Sequence, residues 1–486
     1  MAPSAVESSS SSSQPNWVHG DDLRTSFTLA MSAMYKAEVP LYGDLVRIVD
    51  DINKSTLGNA LDPKVLAMRY GDVSSSRLDV ERHGAIRLGT PNELRTVRRI
   101  FALIGLHPVG YYDLSPAGLP MHATCFRPKT EKSLHKNPFR VFTSVLRPEL
   151  IKDRHARALA LDLLSKRNIF SDELVQLLDL GDAQNGKLTP EQGSRFVTEA
   201  MKTFSWHATA AASHDEYDCL KAEHPILADI ACFRSSHINH LTPRTLCIAS
   251  AQERMKTEGL KVKDRIEGPP PRSCPILLRQ TSFLAIEEPI KFLALSGSPI
   301  ISHIQGSHRA RFGEIEERGA AVTPDGRRLY DELLDEAMAI AANSVQQTSA
   351  DEFDKLVESV FKKYPDDWSE LRRRNLIYCT FEVTSKGMDA RLSAEGSYHI
   401  DDLLTEGFVE AFPMTYEDFL PLSAAGIFQS NLGSRSPPRD AEANADVEGM
   451  EEALGESLGD ADEIYRAAQD ESLSKCARKL GVEIDM

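Results

Sequence analysis

The chain has 486 residues, 41% of them hydrophobic and 26% charged, with a formal charge of −16. That length exceeds one simple core and implies one large composite domain or two packed ones. The acidic balance argues against nucleic-acid binding, which needs a basic face, and no run approaches the roughly 18 apolar residues that would span a membrane.

The first segment, MAPSAVESSSSSSQP, has no apolar core of a secretory signal. It carries Glu7 and has no Lys or Arg before Arg24, unlike a basic transit peptide. Residues 1–20 therefore read as a disordered Ser-rich head on a cytoplasmic protein, with an organelle as the lesser option. Cysteines 125, 219, 232, 247, 274, 379 and 476 form no CxxC pair, which reads as reduced thiols.

From residue 21 a composite domain is expected to run to 432. LRTSFTLAMSAMYKAEVP and YGDLVRIVDDINKS have apolar spacings of three and four, as in helices, with Pro40 between them. The segment ERHGAIRLG then alternates like a strand and runs into PNELRTVRRIFALIG, a helix opened by Thr90-Pro91. HPVGYYDL, LPMHATCF and FRVFTSVL follow as three strands. Residues 78–147 thus read as a βαβββ unit. Period two puts His83 and Arg87 on one face of its first strand. A neutral imidazole can hold a metal and a guanidinium can hold a carboxylate, so the pair suggests a metal site that handles an acid.

Residues 148–230 read as a helical insert. A second unit, about 235–320, repeats the order of elements: SSHINHLTPRT as a strand, IASAQERMKTEG as a helix, then PILLRQTSFLAIEEP, KFLALSG and the strand around Glu314 and Glu316. Two histidines on first strands and one later carboxylate suit a facial triad that leaves open positions on Fe(II). On spacing alone His237 and His240 compete for the second place, and Glu314 and Glu316 for the third. Residues 321–432 return to helix and then to closing segments. Ser423-Ala-Ala-Gly426 can offer backbone N–H groups to an anion. Residues 433–461, rich in Gly, Asp and Glu, read as an acidic disordered linker, and 462–486 as a terminal helix.

Four segments resemble the 2-oxoadipate dioxygenase/decarboxylase family of the vicinal-oxygen-chelate superfamily: RYGDVSSSRLDVERHGAIRLGT, SSHINHLTPRTL, HRARFGEIEERGAAVTPDGRRLYDELL and YEDFLPLSAAGIFQSNLG. They span about 69–433. The resemblance implies an α+β fold in which paired βαβββ units form a curved metal-enclosing sheet with large helical insertions. It also implies Fe(II) held by His83, His240 and Glu314, with His237 and Glu316 as fallbacks. Arg87, Leu422 and Ser423 would hold the substrate, and Arg87 and Ser423 would take part in catalysis. Leu422 stands where the family often has Val. The implied reaction converts 2-oxoadipate and O2 to 2-hydroxyglutarate and CO2, a step of lysine breakdown. Two other readings are an extradiol-type dioxygenase of the same superfamily and a scaffold that has lost catalysis.

Overall fold

The computed structural model describes residues 16–58, 77–293, 303–343, 349–390, 392, 397–420 and 444–485. Helices α1 (Gly20–Glu38) and α2 (Pro40–Gly58) meet at Pro40, as the sequence implies. Strand β1 (Arg82–Leu88) leads through α3 (Pro91–Leu103) to β2 (His107–Asp113), β3 (Met121–Arg127) and β4 (Arg140–Leu146). Thr90 caps α3 by accepting from the Glu93 N–H at 3.2 Å. Leu94, Val97, Ile100 and Phe101 form its buried stripe. The helix stops at Gly105, whose φ of +70° lets the chain turn left-handed.

These strands form one five-stranded sheet, ordered β2-β3-β4-β1-β5, where β5 is His240–Pro243. β1 runs parallel to β4 and antiparallel to β5. Alternation along β1 divides the side chains between two cores. Ile86 and Leu88 pack with α1 and α3, whereas Ala85 packs with Phe142, Phe419 and the insert helices. His83 and Arg87 have the parity of Ala85, so they share its face.

The insert comprises α4 (Arg154–Ser165), α5 (Asp172–Ala183), α6 (Pro190–Phe204), α7 (His214–Glu223) and α8 (Pro225–Ala231). After β5 come α9 (Ile248–Thr257), β6 (Leu278–Ser282), β7 (Glu288–Leu293), β8 (His303–His308) and β9 (Glu314–Arg318). β6 pairs with β9 and β7 with β8, both antiparallel. A parallel bridge between Arg244 and Glu316 sets β9 alongside the end of β5. The architecture is α+β, with a mixed sheet and many helices.

Helices α10 (Pro324–Ala342) and α11 (Ala350–Val360) precede an antiparallel pair of strands, β10 (Cys379–Val383) and β11 (Val409–Pro413). Among the described residues, no helix is long and apolar enough to cross a membrane.

The acidic segment departs from expectation. Residues 447–454 form helix α12 (Val447–Leu454), with Met450, Ala453 and Leu454 buried in the core beside α3. Composition masked a helical stripe at spacings of three and four. The outer face of α3 also holds the segment: Arg98 lies 3.1 Å from the Glu456 carboxylate, and Arg95 donates to the Glu452 backbone carbonyl at 3.0 Å. A disordered linker is therefore incorrect for 444–461, while 433–443 lie outside the described residues. Helix α13 (Ala461–Leu480) follows. Its Gln469 and Ser472 accept from the Cys379 and Phe381 N–H groups at 2.9 and 3.1 Å, covering β10. Met450→Ala is expected to cost about 2–5 kcal/mol, as for other large-to-small changes in a closed core, read as a lowered denaturation midpoint. An unchanged midpoint would mean that α12 is only loosely docked.

Candidate metal centre

Three elements bring the first candidate set together. β1 supplies His83; β5 supplies His240, which its antiparallel register sets opposite Ala85; β9 supplies Glu314 at its first residue. One donor atom from each of the three lies within 4.8 Å of the others. His83 Nε2 is 3.0 Å, and His240 Nε2 3.8 Å, from Glu314 Oε1. The two imidazole planes stand at 85° to each other. The Thr242 hydroxyl donates to the same carboxylate oxygen at 3.1 Å. All three candidate ligands are buried.

The electrostatics suit a cation. Burial, reinforced by His83 and Arg87, pushes the His240 imidazole well below its ordinary pKa, so it is neutral and has a lone pair to give. Burial also raises the Glu314 carboxyl, against the pull of His83. Glu314 Oε2 and His240 Nδ1 have no hydrogen-bond partner among the described residues. A buried carboxylate oxygen without a partner is costly unless something positive meets it.

Glu316 sits two residues further along the same face of β9 but is otherwise engaged. Arg140 grips both of its oxygens, at 3.1 and 2.8 Å, and Arg318 reaches it at 3.0 Å. Burial alone would raise its pKa; Arg140 and Arg318 hold it well below the carboxylate range. Its Oε2 lies 3.1 Å from His83 Nδ1. Glu316 is thus placed behind His83, on the Nδ1 side of the ring, while Glu314 faces Nε2. Arg318 also binds Glu81 at 3.0 Å and pairs with Glu417, and Glu417 meets Arg77 at 3.1 Å. Phe419, two residues after Glu417, stands edge-on to the His83 ring at 4.9 Å and under the Arg140 guanidinium at 4.5 Å.

His237, the alternative second histidine, is drawn into a different cluster. Its Nε2 lies 3.1 Å from Asp229, as His308 Nε2 does at 2.9 Å. Arg87 is buried and paired with that same Asp229. Leu422 and Ser423 lie outside the described residues.

Comparison with known proteins places the chain in a family. The family model of 2-oxoadipate dioxygenase/decarboxylase matches residues 27–431. The chain belongs to that family. Relatives named 2-oxoadipate dioxygenase/decarboxylase from Pseudomonas putida and Escherichia coli are each 44% identical to it. The alignments cover 96% and 95% of this chain and 98% and 99% of theirs. A crystal structure of the hydroxyglutarate synthase from Pseudomonas putida in complex with 2-oxoadipate matches with a TM-score of 0.85 at 43% identity, covering 96% of this chain and 100% of that one.

Within the 2-oxoadipate dioxygenase/decarboxylase family frame, the donor set fits a metal with open positions. Two imidazoles and a carboxylate, with no thiolate, suit non-haem iron better than structural zinc. Sequence reading missed Asp229, His308, Thr242, Arg140 and Phe419. Only Asp229 carried a signal: it is the sole charge in the apolar run PILADIACF, where an ionised side chain needs a buried partner.

Proposed function

We propose that this chain is an Fe(II)-dependent enzyme that converts 2-oxoadipate and O2 to 2-hydroxyglutarate and CO2. The observation that carries the reading is the convergence of His83, His240 and Glu314 within 4.8 Å. Arg87 lies four residues beyond His83 on the same face of β1. The names and the 2-oxoadipate complex of the relatives support the substrate. The parallel pairing of β1 with β4 and the parallel bridge from Arg244 to Glu316 support two βαβββ units facing one site.

In this reading His83, His240 and Glu314 hold the metal, and Fe(II) supplies chelation of the 2-oxo acid and activation of O2. The protein does the rest. Arg87 receives the distal carboxylate, and Leu422 and Ser423, named by the family resemblance, complete that end. Glu316 holds the His83 ring with Nε2 forward. Phe142 and Phe419, whose rings are 5.2 Å apart, exclude water from the reacting end. The substrate brings its own 2-oxo group, so no second oxo acid is consumed. The step would serve lysine breakdown. The seven cysteines are free thiols, which supports a cytoplasmic setting.

The test is to load the protein with Fe(II) under nitrogen, then add 2-oxoadipate and air-saturated buffer. One 2-hydroxyglutarate and one CO2 are expected for each O2 consumed. Oxygen uptake without either product would reject the proposal.

A further inference from the structure

Asp229 is the sole charge on α8 and is buried there. Its Oδ2 pairs with Arg87. Its Oδ1 meets His308 Nε2 at 2.9 Å and His237 Nε2 at 3.1 Å. The chain of contacts continues outward, with His308 Nδ1 2.9 Å from the Tyr217 hydroxyl on α7. Trp206 stacks on His308 at 5.8 Å and stands edge-on to His237 at 4.7 Å. Asp229, His237, His308 and Tyr217, the side chains behind Arg87, are all buried. They come from α7, α8, β8 and the approach to β5.

An Asp-His-His set can also hold a metal, and these three do bring donor atoms within 4.8 Å of one another. The Arg87 guanidinium argues against that occupant. It already sits on the Asp229 carboxylate, and a second cation there would face a like charge in a site shielded from water. Burial would raise the Asp229 carboxyl, but Arg87 and His237 hold it well below the ordinary range, so it is ionised.

We infer that Asp229 is a positioning residue: it fixes the Arg87 guanidinium for the substrate's distal carboxylate, and His237, His308 and Tyr217 fix Asp229 in turn. The inference rests on the role proposed above for Arg87. A guanidinium is a planar fork, and recognition of a carboxylate depends on the orientation of that plane. A side chain already locked by a buried partner has less freedom to lose when the ligand arrives. The network therefore acts on one end of the substrate only. It favours acids with a second carboxylate at the right distance and leaves the 2-oxo end untouched.

The experiment uses the full-length Fe(II) enzyme with Asp229→Asn and Tyr217→Phe. Turnover is compared for 2-oxoadipate and for 2-oxohexanoate, which lacks the distal carboxylate. For Asp229→Asn, kcat/KM on 2-oxoadipate is expected to fall about tenfold or more, mostly through KM, as for a displaced charge-assisted contact. On 2-oxohexanoate it should change less than about twofold. Tyr217→Phe, at the far end of the network, should show the same selectivity at about threefold. Co(II) titration of the metal-free proteins should give one equivalent in the wild type and in both variants. Equal losses on both acids, or no loss on either, would overturn the inference. So would two Co(II) equivalents in the wild type falling to one in Asp229→Asn, which would make the cluster a metal site. Should Asp229→Asn fail to fold, Tyr217→Phe decides by the same ratio. A wild type that does not prefer 2-oxoadipate overturns the role of Arg87 and this inference with it. A preferring wild type whose variants lose both acids equally overturns the inference alone.

Discussion

Glu314→Ala is expected to abolish stoichiometric metal binding and turnover while leaving the metal-free protein as stable as before, or more so. The reason is that burial disfavours the Glu314 carboxylate, whose Oε2 finds no hydrogen-bond partner among the described residues. Removing it relieves a cost that only a cation offsets. Glu316→Gln should do the reverse. It leaves Arg140 and Arg318 facing a neutral amide in a buried site, a loss of about 3–5 kcal/mol by analogy with other broken buried pairs. Metal affinity should fall by about 10–100-fold, because Glu316 acts on the metal only through His83. Calorimetry of the metal-free variants and Fe(II) titration check both halves. Full metal binding by Glu314→Ala, with none by Glu316→Gln, would exchange the roles of the two carboxylates.

Arg87→Ala should lower kcat/KM on 2-oxoadipate by about tenfold or more, since a hydrogen bond to a charged group contributes roughly 1.5–3 kcal/mol. Metal content should be unchanged, because the candidate ligands are His83, His240 and Glu314. The variant also strips Asp229 of its cationic partner, so its unfolding midpoint should drop. Arg87→Lys separates the two effects. It keeps a positive charge beside Asp229 but cannot reproduce the planar fork, so stability should recover further than activity. Steady-state kinetics on 2-oxoadipate and 2-oxohexanoate, with melting curves for both variants, provide the check. A matched loss on the two acids would show that Arg87 does not read the distal carboxylate.

Much of this molecule follows from local pattern. The period-two parity of β1 places His83 and Arg87 on one face whatever the rest of the chain does, although the strand is buried along its whole length. The Thr90-Pro91 start, the apolar stripe and Gly105 delimit α3 because capping and left-handed turning are local requirements. The break at Pro40 is of the same kind. The resemblance of four long segments carried the family, since such runs are specific even where each residue alone is not.

Other features depend on partners far away in the chain. Composition made residues 433–461 look unfolded, yet α12 docks because α3 offers it an apolar groove and two arginines. The sequence spacing left His237 and His240 equal. The antiparallel register of β5 on β1 sets His240 with His83 and Glu314, while α8 and β8 claim His237 for Asp229 and His308. Glu314 and Glu316 share a face of β9, and parity cannot tell them apart. What separates them is Arg140 on β4, which reaches Glu316 across the sheet and leaves Glu314 to the histidines and Thr242. The sequence by itself determined the first strand, its paired His83 and Arg87, and the family. Only the tertiary structure decided which carboxylate is neutralised by arginine and which lies among the histidines, because charge compensation in a buried site is a matter of long-range neighbours.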